Sequence, residues 1–187
     1  YIINRDGIKI AIIGMITPAI PNWLNEKLWE GMSFQEMKEC ALYWTTYLKK
    51  QENPDIIIGL FHSGAEGGII TDEYEEDASL RIAKEVPGFD LILYGHDHKK
   101  HIETIKNKDG HDVLCMDPSS NAYFICDAEI DVTINNGQII NKQIKGSLKD
   151  VRNLPVDTAF MEYFKDEIDS INNYVNKKIG TFKNSIY

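Results

Sequence analysis

The sequence has few cysteines and no Cys-x-x-Cys pair: Cys40, Cys115 and Cys126 are odd in number and far apart. That argues against both a disulfide framework and a thiolate zinc site, and the three read as small buried hydrophobes. Long apolar runs are also missing, since none approaches the roughly 20 residues of a membrane-spanning helix. The first residues lack the basic start, apolar middle and small-residue cleavage site of a signal peptide. Because the chain begins with Tyr1 rather than methionine, it is read as an excised or processed piece of a longer protein. Basic charge is in deficit: 20 Lys and Arg stand against 29 Asp and Glu, for a formal net charge of -9, with no Lys/Arg cluster. A nucleic-acid partner is therefore disfavoured. No solenoid-period repeat or low-complexity segment occurs.

What is present is an ordinary globular chain of 187 residues, 43% hydrophobic, enough for one well-buried domain and a small appendage. GIKIAIIGMITP (7–18) is a strand signal closed by Thr17-Pro18, followed by a loop with Pro21, Trp23 and Trp29 that is long enough to be functional. SFQEMKECALYWTTYLKKQENP (33–54) predicts a helix, with a Ser33 cap, Glu36 three residues on and Pro54 beyond. DIIIGLFH is too short an apolar run for a helix and reads as a strand buried on both faces. A second helix is predicted over 72–86, stopped by Pro87-Gly88, before FDLILYGH repeats the apolar strand. From His98 the pattern turns to alternating antiparallel strands: HIETIK, DVLCMD, AYFICDAEIDVTI and QIINKQIKG. Over 157–178, Phe160, Phe164, Ile168, Ile171 and Val175 fall on one helical face.

Two of the strands deliver histidine where the apolar run ends. DIIIGLFHSG ends in His62, and DLILYGHDHK in His96 and His98. In open α/β sheets, ligands sit beyond the carboxyl ends of parallel strands, so neighbouring strand ends can aim imidazoles at one point. Imidazole suits Zn, Mn, Fe or Co, and three such ligands leave positions open for water and substrate. An extended His96-x-His98 would put both rings on one face, whereas a turn would aim them at two adjacent ions. Gly95 permits a backbone conformation there that other residues would resist, and Asp97, facing away from its neighbours, is placed to orient a ligand. A lone strand-end histidine is usually just a satisfied polar residue; it is the pair of strand ends that favours metal. His101 and His111 lie in the polar antiparallel region, and Asp55 and Asp90 read as caps or turn residues at the opposite strand ends. The acids of TDEYEED, including Glu73, Glu75, Glu76 and Asp77, read as a solvated face at a helix start, favoured by the dipole there. HSGAEGGI lacks the P-loop pattern and reads as a mobile loop.

These residues resemble the calcineurin-like metallophosphoesterases, and within them the 5'-nucleotidase and 2',3'-cyclic-nucleotide 2'-phosphodiesterase branch. The likeness is carried by GIKIAIIGMITP, PDIIIGLFHSG, FDLILYGHDHK and the tail YFKDEIDSINNYVNKKIG. It implies an α/β fold: part of an αββα sandwich, with a parallel βαβαβ first half, then antiparallel strands and a C-terminal linker helix. Residues 1–150 would be the C-terminal half of the catalytic domain, and 151–187 the linker toward a substrate domain. By resemblance His62 and His96 would bind one divalent metal ion and His98 a second, the complete domain holding two. The family's bridging Gly-Asp and Gly-Asn-His motifs do not occur in this sequence, and no Asp-x-His occurs before His62. The expectation is therefore a part of a nucleotide-phosphate hydrolase that binds one metal weakly and is itself inactive, with no catalytic residue assigned. A different phosphoester substrate, such as a nucleotide sugar, stays open. So does a non-catalytic metal-binding or interaction domain that keeps the fold. The resemblance further implies a periplasmic or cell-surface location. The apolar runs at 10–16, 56–61 and 91–94 suggest a homodimer through uncovered sheet, and MDPSSNAYF, with Asn121, is a further candidate to line the site.

Overall fold

A computed structural model describes residues 1–181. The chain divides into two compact units, Tyr1–Arg152 and a second that begins at Asn153. In the first, six strands form one sheet in the order β1-β2-β3-β6-β8-β7: β1 Ile2–Arg5, β2 Ile8–Ile16, β3 Ile56–His62, β6 Leu91–Gly95, β7 Lys100–Lys106 and β8 Asp112–Pro118. β2, β3, β6 and β8 run parallel, while β1 and β7 are antiparallel edges. Thus DVLCMD, within the alternating second half, joins the parallel core. β1 escapes the sequence patterns used above, although Asp6-Gly7 is a two-residue hairpin signal, and both residues adopt positive φ, 51° and 83°.

The helices α2 Met37–Gln51 and α3 Ser79–Glu85 cover one face of this sheet. Met37, Ala41, Leu48, Ile82 and Ala83 bury there against Ala11, Ile13, Ile57, Phe61, Ile92 and Val113. On the other face lies a long hairpin, β9 Phe124–Asn135 and β10 Gln138–Asp150. Its Cys126, Ala128, Ile130, Ile144 and Leu148 pack on Leu91, Leu114 and Met116. Alternation along β6 and β8 sends successive side chains to the two layers, so both strands read as continuous apolar runs. Gly146 lets the layers approach: a Cβ there would stand 2.6 Å from Met116 Sδ. The hairpin covers Leu91 and Leu93 but leaves Ile16 and Leu60 about half exposed. Lys142 on β10 bonds Asp90, whose other oxygen accepts from Ile57 N; Asp55 accepts from Lys9 N. Both acids thus pin the strand starts.

Four expectations are corrected. The first helix begins at Met37, capped by Glu36, whose carboxylate accepts from Glu39 N at 2.7 Å; Ser33 is not the cap. The second helix is only α3, because 75–77 instead forms β5 Glu75–Asp77, paired with β4 Gly67–Ile70. Residues 67–69 of the stretch read as a mobile glycine loop belong to β4. In the second unit the tail is two helices, α4 Thr158–Tyr163 and α5 Lys165–Val175, broken where Phe164 takes ψ 15°. Among the cysteines, Cys115 is buried and Cys40 and Cys126 half-buried, all free. Burial pushes the Cys115 thiol up to about 12 and the Cys126 thiol up to about 11, so both act as apolar groups at neutral pH.

Candidate metal centre

β3 and β6 are parallel neighbours with His62 level with Gly95, so the two strand ends open at the same edge. His62 Nε2 stands 3.2 Å from His96 Nδ1, and the ring centroids are 5.0 Å apart. Partial burial, then the fields of His96 and His98, push His62 below its usual pKa. Its imidazole is therefore neutral and offers a lone pair at pH 7. The backbone after β6 turns sharply: His96 has φ 119° and His98 φ 61°, whereas Gly95 does not take positive φ. The left-handed conformation thus falls on the histidines rather than on the glycine, and such conformations persist in non-glycine residues only where surroundings over-determine them. His98 is exposed on this turn, and its carbonyl oxygen accepts from Ser119 Oγ at 3.0 Å. The segment 118–122 thereby flanks the turn, with Ser119, Asn121 and Ala122 all at positive φ.

Two carboxylates that the sequence pattern assigned to solvent reach this point. Glu76 Oε1 lies 2.9 Å from His96 Nε2, and its side chain is only 12% exposed. Glu76, Asp77 and His96 bring ligand atoms within 4.8 Å of one another. Asp77 is already engaged: Oδ1 accepts from Gly64 N at 2.6 Å. Ser63 Oγ donates to Glu76 O and accepts from Ala78 N, stitching the loop after His62 to β5. Among the described residues, the Asp97 carboxylate makes no hydrogen bond to a histidine. Its two oxygens accept from Ala65 N and Lys99 N, each at 3.0 Å, so it ties the two strand-end loops together. Trp23, on the short helix α1 Ile20–Trp23, stands 5.1 Å from the His96 ring and forms a wall the sequence pattern left undefined. His101 pairs with Glu103 on β7 and His111 sits in a distant turn. A cleft lined by Asp55, Asp90, Asn107, His111 and Lys142 lies at the opposite strand ends.

Beneath the turn, Asp117 is fully buried, with Oδ1 accepting from Ser119 N at 2.8 Å and Oδ2 without a donor. Burial, partly offset by that N–H and reinforced by the Asp97 carboxylate, pushes Asp117 up to about 7. Burial alone would raise Asp97 as well, but the N–H groups of Ala65 and Lys99 and a hydrogen bond from Asp117 hold it below its usual value. A hydrogen bond between the two side chains, with the proton on Asp117, accounts for both directions. The folded chain holds that proton more tightly than the unfolded chain, so the stability it contributes is complete below the ordinary carboxylate value of about 4. That contribution is lost as pH rises through about 7. Asp117→Asn keeps a donor without ionising, and is expected to flatten the fall of denaturant midpoints across this range; an unchanged slope would contradict the shared proton.

Two imidazole nitrogens from different loops, 3.2 Å apart, converge on a partly open edge, donors of a kind that suits a divalent ion. No family model matches the chain. Over 102 residues, 51% of this chain and 18% of the relative, it is 32% identical to the 5'-nucleotidase of Vibrio cholerae serotype O1. Over 116 residues, 57% of this chain and 17% of the relative, it is 29% identical to the 2',3'-cyclic-nucleotide 2'-phosphodiesterase/3'-nucleotidase of Yersinia enterocolitica. The matched stretch therefore spans less than a fifth of the length of these curated relatives. The crystal structure of calcineurin-like phosphoesterase YfkN from Bacillus subtilis has a TM-score of 0.71 at 21% identity, over 95% of this chain and 57% of that one. Sheet, layers and strand-end site together give this chain the calcineurin-like phosphoesterase fold, and along about half its length it is a homologue of proteins named 5'-nucleotidase and cyclic-nucleotide phosphodiesterase.

Proposed function

We propose that this chain carries part of the metal site of a phosphoesterase acting on nucleotide phosphates, with His62 and His96 holding one divalent ion. The observation that carries this reading is the 3.2 Å approach of His62 Nε2 to His96 Nδ1 across two parallel strand ends. His98, exposed on the same turn, is proposed to serve a second ion. A bound cation would polarise a phosphoryl oxygen and lower the pKa of a coordinated water. The chain's own part is to present imidazole nitrogens from two strand ends, to hold the turn through Asp97 and to leave one side open. Its homology to proteins named as nucleotide phosphoesterases supports that substrate class, and an exported location follows only from the same likeness. Among the described residues no helix is long and apolar enough to cross a membrane.

The sequence contains no bridging aspartate of the Gly-Asp type and no Gly-Asn-His, so the 187-residue chain by itself is expected to bind one metal and turn over no phosphoester. Metal analysis alongside hydrolysis assays with 5'-nucleotides and 2',3'-cyclic nucleotides tests both halves. Bound Zn, Mn, Fe or Co that is lost in His96→Ala supports the site; hydrolysis that is lost in the same variant would overturn the inactivity. The exposed Ile16 and Leu60 favour self-association through the uncovered part of the sheet. Light scattering should show a dimer that Leu60→Lys shifts to monomer, and a monomer at high concentration would refute it.

A further inference from the structure

We infer that Glu76 is the positioning residue that aims His96 at the metal. This rests on the proposed ion between His62 and His96 and goes beyond it, because Glu76 is assigned a tautomer-setting role rather than a place among the ligands.

A carboxylate can only accept, so Glu76 Oε1, 2.9 Å from His96 Nε2, requires the proton to sit on Nε2. The lone pair then falls on Nδ1, the nitrogen that faces His62 Nε2 at 3.2 Å. A ligating histidine whose other ring N–H is bound to a carboxylate is fixed in orientation and made a better donor. Glu76 is itself held. Its Oε2 accepts from Ile69 N at 2.6 Å, its carbonyl oxygen accepts from Ser63 Oγ at 2.8 Å, and β5 fixes its backbone against β4. Gly68 makes room for it, since a Cβ at that position would stand 2.7 Å from Glu76 Oε2. Asp77, beside it, is spent on Gly64 N, which leaves Glu76 as the carboxylate free to serve the ring. The side chains of Glu76 and His96 are 12% and 20% exposed, so water competes little for the contact.

The test uses the full 187-residue chain. Nitrogen-15 shifts of the His96 ring are measured without metal, and Zn2+ affinity by competition with a chromophoric chelator, in wild type, Glu76→Gln, Glu76→Ala and His62→Ala. Circular dichroism verifies that each variant is folded. In wild type the ring should carry its proton on Nε2. Glu76→Ala should mix the tautomers and weaken Zn2+ about 10- to 100-fold, and Glu76→Gln, whose amide oxygen still accepts, should fall between the two. A wild-type proton on Nδ1, or a Glu76→Ala protein with unchanged shifts, overturns the inference. A Glu76→Gln loss as deep as that of His62→Ala also overturns it, by making Glu76 a ligand. If wild type binds no Zn2+, the metal reading fails, and the metal-free shifts still decide whether Glu76 sets the tautomer.

Discussion

Replacing His62 with alanine is expected to lower divalent-metal affinity about 100-fold or more, beyond the 10- to 100-fold typical of an outer-shell partner. The reason is geometric. Among the described residues, His62 Nε2 is the imidazole nitrogen brought to 3.2 Å from His96 Nδ1, and removing it leaves His96 as the one imidazole proposed for that ion. Stability should hardly change, because His62 lies at an exposed strand end and surface substitutions away from special features fall within about 0.5 kcal/mol. Isothermal titration with Zn2+ and thermal denaturation of the same samples would separate the two effects. Affinity equal to wild type would remove His62 from the site and with it the pairing of strand ends on which the reading depends.

The second large effect is expected at Gly64, where fold and site meet. A Cβ on this residue would stand 2.6 Å from Asp77 Oδ1 and 2.7 Å from Asp97 Cβ, distances at which something must move. Gly64 N also donates to Asp77 Oδ1, so the backbone cannot withdraw without leaving a buried carboxylate poorly satisfied. Gly64→Ala should cost about 2–3 kcal/mol, in the range of overpacked sites, which for a chain of this size lowers Tm by roughly 5–10 °C. It should also weaken metal binding, because the displaced loop starts two residues after His62 and is tied to Asp97 beside His96. Gly14→Ala is the matched control: its Cβ would meet nothing nearer than the Leu60 carbonyl oxygen at 4.0 Å. Similar melting temperatures for the two variants would show that the loop yields more easily than the close packing implies.

Much of this architecture is visible in local sequence. The apolar runs ending at His62 and Gly95 are short, rich in isoleucine and leucine, and bounded by aspartate and glycine, and each forms the expected parallel strand. The edge strand β1 was also within reach, through the Asp6-Gly7 turn that joins it to β2. The run TDEYEED was misread because acids before an apolar run look like a helix start, and helix propensity is a weak prior. What turns Glu75–Asp77 into a strand is distant in sequence: Ser63 bonding Glu76 O and Ala78 N, and Gly64 bonding Asp77. A sequence pattern registers neither contact. Thr71, whose Oγ1 accepts from Glu73 N and Tyr74 N, was the local sign of a turn between two short strands.

By itself, the sequence determined where the strands end and that histidines stand at those ends, because a buried parallel strand must be a continuous apolar run and its polar terminus is where function can sit. It also carried the family likeness. Only the tertiary structure decided what surrounds those histidines: Glu76 behind His96, Trp23 at its side, Asp97 and Asp117 beneath the turn, and the left-handed backbone at His96 and His98 instead of Gly95. The physical reason is that strands follow from residues near one another in the chain. Convergence at the site is set by hydrogen bonds between segments 13 to 34 positions apart and by the packing of Trp23 on His96, for which composition and periodicity hold no record.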